Sequence, residues 1–147
     1  MKIYCGEIRI KTKNLYDFCD ITANIEKIIH ESLIVCGLVN VQIMHTSAAL
    51  IVNENEPLLL EDFKENLESI ANSRKTYRHD DMQHRTINVC DNECVNGHAH
   101  CKAIHFLANV TLNLKNGKLQ LGQWQRVFLV ELDHSRDRLV QVQILGE

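Results

Sequence analysis

Hydrophobic and polar residues alternate along much of the chain, which predicts β-strands. Near the N-terminus, Ile8 and Ile10 alternate with charged neighbours, the period-2 pattern of a half-buried strand. Similar alternation, or a short continuous apolar run, recurs at 39–43, 48–52, 110–114, 127–132 and 140–144. The pair Asn116-Gly117, directly after one of these segments, is typical of a hairpin turn. The strands therefore come mainly in hairpins, which favours an antiparallel sheet.

Three other stretches have the apolar spacing of helices. The first covers 21–36, with Asp20 as the N-cap and Gly37 as the C-terminal stop. The second covers about 57–71 and begins with the only proline, which the first turn of a helix tolerates. The third is short, beginning at residue 97 or 98 and ending by residue 109. We therefore predict an α+β fold, a largely antiparallel sheet or sandwich with about three helices packed on it.

Length and composition indicate one ordinary globular domain. The chain has 147 residues, of which 45% are hydrophobic and 24% charged, so residues 1–147 suffice for a single domain with its own core. A net charge of -3 is the wrong sign for a protein that grips nucleic acid. The N-terminal segment lacks the long apolar run of a signal peptide or a membrane span, so we expect a cytoplasmic protein without nucleic-acid or membrane partners.

Six cysteines fit that expectation as reduced thiols rather than disulfides. Cys36, placed in the first predicted helix, would be a small buried apolar residue. The spacing Cys90-x3-Cys94-x3-His98-x-His100 has the short intervals seen at zinc sites. It lacks the usual Cys-x2-Cys and His-x3-His pairs, so a structural zinc at this loop remains one alternative beside an ordinary loop.

Histidine is the commonest metal ligand, and the chain has eight. His30, His105 and His134 stand in or beside regular elements without a polar cluster, which favours a structural role. His45 ends an apolar strand and opens His45-Thr46-Ser47-Ala48, where a buried imidazole needs a partner. It is either a site residue or a satisfied core histidine. The polar, aperiodic segment 73–97 is long enough for its loop to be functional.

Two other polar segments also have two interpretations. Asn53-Glu54-Asn55 ends a predicted strand with three hydrogen-bonding side chains, which suit either a site or the cap of the next helix. Gly122-Gln123-Trp124-Gln125 contains the only tryptophan, whose ring would be either core or a pocket wall.

Five motifs, in this order, together resemble the YjbQ family: His45-Thr46-Ser47-Ala48, Asn53-Glu54-Asn55, Tyr77-Arg78-His79, Asn96-Gly97-His98-Ala99-His100 and Leu121-Gly122-Gln123-Trp124-Gln125. The resemblance continues through Asn116-Gly117-Lys118-Leu119 and through Glu131-Leu132-Asp133 with Arg138 beyond it, so it covers nearly the whole chain. It implies a compact α+β homotrimer, a site near the subunit boundary and a low-level thiamine-phosphate synthase activity.

The resemblance also implies a site. His45, His79 and His100 would meet at a divalent metal, which would be zinc, or magnesium if a diphosphate brings it. His98 would contact a ligand rather than the metal, or take no part. Three imidazoles with an open position are the ligand set of a catalytic zinc.

Other residues would act around that metal. Ser47, Asn53, Glu54 and Glu131 would take part in catalysis: Ser47 and Asn53 as hydrogen-bond donors to an anionic group, and Glu54 or Glu131 as a base or as a support for a ligand histidine. Substrate would be bound by Thr46, Arg78, Trp124 and Gln125.

We therefore expect a metal-binding transferase that joins a pyrimidine diphosphate to a thiazole phosphate and releases pyrophosphate. The chain has no glycine-rich phosphate cradle, so a diphosphate would depend on the metal. One alternative is a metal-dependent hydrolase of another substrate. A second is a non-enzymatic trimer that binds a small anion and a structural ion.

Overall fold

The computed structural model describes residues 1–91 and 93–147, which form eight strands and three α-helices. The strands are β1 (Lys2–Lys11), β2 (Phe18–Asp20), β3 (Cys36–Ile43), β4 (Ala48–Glu54), β5 (Asn109–Lys115), β6 (Lys118–Leu119), β7 (Gln125–Glu131) and β8 (Asp137–Gly146). The helices are α1 (Thr22–Ser32), α2 (Pro57–Ile70) and α3 (Gly97–Ala103), and a 3-10 turn covers Arg78–Asp80. The α+β class is therefore confirmed.

Two antiparallel sheets form the sandwich. The larger has the order β1-β8-β3-β5-β6 and the smaller β2-β7-β4. In β7, Val127 and Leu129 pack with α1 and the larger sheet, while Phe128 and Val130 pack in a second cluster with residues of α2 and α3. Burial on both faces explains why this strand is a continuous apolar run rather than an alternating one.

The hairpin and the second helix were predicted well. Asn116 and Gly117 both have positive φ, 53° and 71°, at the turn between β5 and β6. The side chain of Glu56 accepts hydrogen bonds from the backbone amides of Leu58 and Leu59, so it caps α2 at its start. None of the described helices has the length and apolar character needed to cross a bilayer.

The predicted end of the first helix was wrong. α1 ends at Ser32, and Leu33 takes a left-handed conformation with φ 56°. Gly37 lies inside β3, where a Cβ atom would stand 1.9 Å from the carbonyl oxygen of Leu145 in β8. The glycine therefore permits close strand approach instead of ending a helix, and Cys36 is an exposed strand residue rather than a buried one.

One smaller boundary also differs. Asp20 accepts from the backbone amide of Thr22, but Ile21 occupies the N-cap position of α1. The short third helix is confirmed: α3 begins at Gly97 and ends at Ala103, before the predicted limit at residue 109. Leu107, in the segment that follows, forms an isolated bridge with Leu50 of β4.

Candidate functional site

A cleft of about 850 Å³ opens where four segments meet: the β3–β4 connection, the 3-10 turn, α3 and the β7–β8 connection. Its lining includes five of the predicted site residues and one of their neighbours: His45, Thr46, Ser47, His79, His100 and Arg138. Residues from the long polar segment, among them Cys90 and Glu93, form another wall. The long polar segment therefore contributes part of the cleft lining; that it is functional stays a prediction.

His79 and His100 form a close pair in this cleft. Their ring centroids lie 4.6 Å apart at an interplanar angle of 61°. The His100 ring is hydrogen-bonded to the Thr46 backbone; burial lowers its pKa, and the neighbouring His79 adds to this. His79 Nε2 is buried and, among the described residues, has no hydrogen-bond partner. The pair therefore offers a buried nitrogen beside a second ring that is held in place by a carbonyl.

Two further buried polar atoms lie close by in the sequence and were not predicted. The carboxylate of Asp80 accepts hydrogen bonds from the backbone amides of Asn96 and Gly97 through Oδ1. Asn96 donates through Nδ2 to Asp133. Within the described ranges, Asp80 Oδ2 and Asn96 Oδ1 are left without a donor. Both atoms are pure acceptors, so a cation or a hydrogen-bond donor would satisfy them.

His45 is placed differently. Its Nε2 accepts a 2.8 Å hydrogen bond from the backbone amide of Leu139. Its pKa is lowered, first by burial and then by the charge of Arg138, which keeps the ring neutral. A neutral ring that accepts at Nε2 carries its proton on Nδ1 and has no lone pair left for a metal. Over residues 1–91 and 93–147, no group of three His, Cys, Asp or Glu side chains is arranged to hold a metal ion.

The side chain of Ser47 is held by Arg138, which belongs to a buried ion pair with Glu131. Arg138 donates through Nη2 to Ser47 Oγ at 3.0 Å, and it donates charged hydrogen bonds to the Glu131 carboxylate through Nε and Nη2. Glu131 is 0% exposed and also accepts from the hydroxyl of Thr12. The carboxylate therefore positions Arg138, and Ser47 keeps its own proton available for donation into the cleft.

The other predicted residues lie elsewhere in the chain. Asn53, Glu54, Trp124 and Gln125 line a separate shallow depression of about 350 Å³. Trp124 is 63% exposed, which excludes the core interpretation of its ring. Arg78 is exposed on the 3-10 turn. The structure thus brings the histidine motifs together but leaves the tryptophan motif apart.

The Cys90-Cys94-His98-His100 motif is also divided. Cys90, Cys94 and His100 line the cleft, whereas the Nδ1 of His98 lies 3.1 Å from the ammonium of Lys102. His98 therefore belongs to a different set of contacts, and the two thiols are exposed.

The arginines of the cleft carry little unbalanced charge. Arg85 pairs with Glu93, Arg136 with Asp133 and Arg138 with Glu131. Each guanidinium is therefore largely neutralised by a carboxylate, and an incoming phosphate would gain limited attraction from them. To be held strongly here, an anionic ligand would need a further positive charge beside these arginines.

Gly97 fits the 3-10 turn against α3 and thereby brings His79 to His100. A Cβ atom at this position would stand 2.4 Å from Cβ of Tyr77. We expect Gly97→Ala to lower the free energy of unfolding by about 1–3 kcal/mol, because the overlap outweighs the better helix propensity of alanine. Urea unfolding measures this. Gly122→Ala is the control, since its Cβ would meet only the movable side chain of Gln125; an equal loss in both variants would contradict the argument.

An antiparallel sandwich with a histidine cleft at its edge defines the class of protein, and comparison with known proteins gives the family. The family model described as "UPF0047 protein YjbQ-like" matches residues 6–147. The chain therefore belongs to the YjbQ family, as its motifs had indicated. The family description names no activity.

Curated relatives and solved structures agree. A UPF0047 protein of Methanothermobacter thermautotrophicus is 31% identical over 147 residues, covering 100% of this chain and 95% of the relative. One of Archaeoglobus fulgidus is 35% identical, covering 95% and 99%. The crystal structure of a YbjQ-like protein of unknown function from Sulfolobus solfataricus has a TM-score of 0.87 at 33% identity and covers 99% of both chains.

Proposed function

We propose that this chain is a metal-assisted transferase of the thiamine-phosphate-synthase type. It would join a pyrimidine diphosphate to a thiazole phosphate. The carbon–oxygen bond to the diphosphate breaks, its electron pair leaves with pyrophosphate, and a carbon–nitrogen bond to the thiazole ring forms. The observation that carries the proposal is the buried Nε2 of His79, which lies beside the His100 ring and has no hydrogen-bond partner within residues 1–91 and 93–147.

His79 and His100 would hold the divalent metal, zinc or the magnesium that accompanies a diphosphate. This narrows the expected set of three histidines to two, because His45 already accepts from the Leu139 amide. Two protein ligands leave positions for substrate oxygens or for a neighbouring subunit. When bound, such an ion polarises phosphoryl oxygens and stabilises the charge on the departing pyrophosphate.

The chain's own residues would orient the diphosphate. Ser47 Oγ accepts from Arg138, so its hydroxyl proton would be donated to a phosphoryl oxygen. Thr46, next to it, is exposed in the cleft and supplies a second hydroxyl. Glu131 would act as a positioning residue for Arg138 rather than as a base, since it does not reach the cleft surface.

We also propose that the protein works as a cytoplasmic homotrimer. The depression around Trp124, with Asn53, Glu54 and Gln125, would become a site wall if a neighbouring subunit covered it. An indole 63% exposed gains most from such burial. Cys5, Cys19, Cys36, Cys90 and Cys101 are free thiols, which suits a reducing compartment.

Coupled assays on purified protein, with and without chelator, test the function. We expect thiamine phosphate to form from the two substrates, to cease with chelator, and to return when metal is restored. Sedimentation of the same sample should give a trimer. Steady phosphate release from the diphosphate alone would instead identify a hydrolase, which the open cleft would admit. No turnover, with a melting temperature lowered by chelator, would indicate a non-enzymatic ion-binding trimer.

A further inference from the structure

Another depression, distinct from the one around Trp124, adjoins the histidine cleft. It has a volume of about 490 Å³ and lies between the β1–β2 connection, the residues before α3 and the β7–β8 connection. His134 and Ser135 line both the cleft and this depression, so the two lie side by side. A pair of substrates bound in them would be neighbours.

His98 forms the polar floor of this depression. It is 7% exposed, and its Nδ1 lies 3.1 Å from Nζ of Lys102, which is 0% exposed. An ammonium has only protons to give, so Nδ1 accepts and the ring proton sits on Nε2. A buried cation thus fixes the tautomer of His98, and Nε2–H is the donor left for a ligand.

Two exposed residues at the edge of the depression supply hydrogen-bond donors in addition to His98. Lys13 and Asn14 are exposed and line the same depression. Asp133 also lines it, but its carboxylate already accepts from Asn96, His134 and Arg136, and the arginine balances its charge. The groups able to receive a ligand are therefore donors of protons, which suits an anion.

The remaining walls are apolar. Leu15 is half-buried and Val95 is 66% exposed, and both line the depression. Apolar walls beside a few convergent donors are typical of sites for small organic ligands. A free inorganic anion would leave these walls uncovered, whereas the ring of a phosphorylated small molecule would cover them.

We propose that this depression binds the phosphomonoester substrate, with its phosphate on His98 Nε2, Lys13 and Asn14 and its ring against Leu15 and Val95. The assignment rests on the proposed transferase, which needs two phosphorylated substrates side by side. The histidine cleft would bind the pyrimidine diphosphate, and this depression would bind the thiazole phosphate.

The test uses phenyl phosphate as the probe, with isotope-labelled protein followed by NMR and affinity measured by calorimetry. We expect amide shifts at Lys13, Leu15, Val95 and His98. Lys13→Gln should weaken binding about threefold to tenfold, because it removes one charged hydrogen bond at an exposed rim. Lys11→Gln removes an equivalent exposed charge outside the depression and should leave the affinity unchanged.

His98→Ala should weaken binding further, by about tenfold or more. Since it also strands Lys102 without its acceptor, Lys13→Gln is the decisive variant. Three results would overturn the subsite. The first is amide shifts confined to His79, His100 and Ser47. The others are an unchanged affinity in Lys13→Gln and no binding at millimolar phenyl phosphate.

Failure of the subsite and failure of the transferase are separable. If phenyl phosphate binds at His98 but no thiamine phosphate forms, the transferase falls and the subsite stands. If transfer proceeds with an unchanged KM for the thiazole phosphate in Lys13→Gln, the subsite falls and the transferase stands.

Discussion

Glu131→Gln should lower the free energy of unfolding by about 3–5 kcal/mol, the usual cost of breaking a buried ion pair from one side. Arg138 is 4% exposed and Glu131 0%, so the substitution leaves a guanidinium buried without its countercharge. For a chain of this size the melting temperature should fall by roughly 6–20 °C. Urea unfolding monitored by circular dichroism measures the loss.

Two further variants separate burial from charge. Glu7→Gln breaks the Arg9–Glu7 pair, whose side chains are 75% and 46% exposed, and should cost less than about 1 kcal/mol. The double variant Glu131→Leu/Arg138→Met removes both charges and should recover much of the loss. A loss in Glu131→Gln no larger than that in Glu7→Gln would show that the ion pair is not the buried support of Ser47 that the structure indicates.

The fold was largely predictable because burial acts on neighbouring residues. Alternation at Val39, Val41 and Ile43 identified β3, and helical spacing located α2 almost to the residue. The errors fell where a distant strand decides the outcome. Gly37 has the sequence position of a helix stop, yet its conformation is set by contact with Leu145, more than a hundred residues away. Local pattern contains no trace of such pairing.

The site was predictable only in part, for the same reason. Family motifs identified His79 and His100, and the structure places their rings side by side. The motifs could not show that Nε2 of His45 would accept a hydrogen bond from the Leu139 amide. Nor could they show that Asp80 would accept from the backbone amide at the start of α3 while its other oxygen finds no donor in the described part of the chain, since that depends on a turn and a helix folding together.

Metal affinity should depend on His79 and His100 but not on His45. If the proposed pair holds the ion, removing either ring deletes one of two protein ligands. Zinc binding should then weaken by roughly a hundredfold or more, beyond the tenfold to hundredfold effect of losing an outer support. His45→Ala should retain the metal, because its Nε2 is engaged by the backbone of β8. Calorimetry with zinc and metal analysis after dialysis measure both effects.

The free energy of unfolding with and without zinc gives a second measurement of the same site, with an exposed histidine as the control. Zinc at a hundred times its Kd should stabilise the wild type by about 2.7 kcal/mol, and this gain should vanish in His79→Ala and His100→Ala. The control is His30→Ala, which removes an exposed histidine on α1 and should behave as the wild type.

Metal affinity should also depend on pH, because only neutral imidazoles can bind the ion. The lowered pKa of His100 favours binding at neutral pH, and affinity should decline on acidification as protons compete with the metal. Loss of metal in His45→Ala with retention in His79→Ala would move the centre to the other side of the cleft and refute the pair.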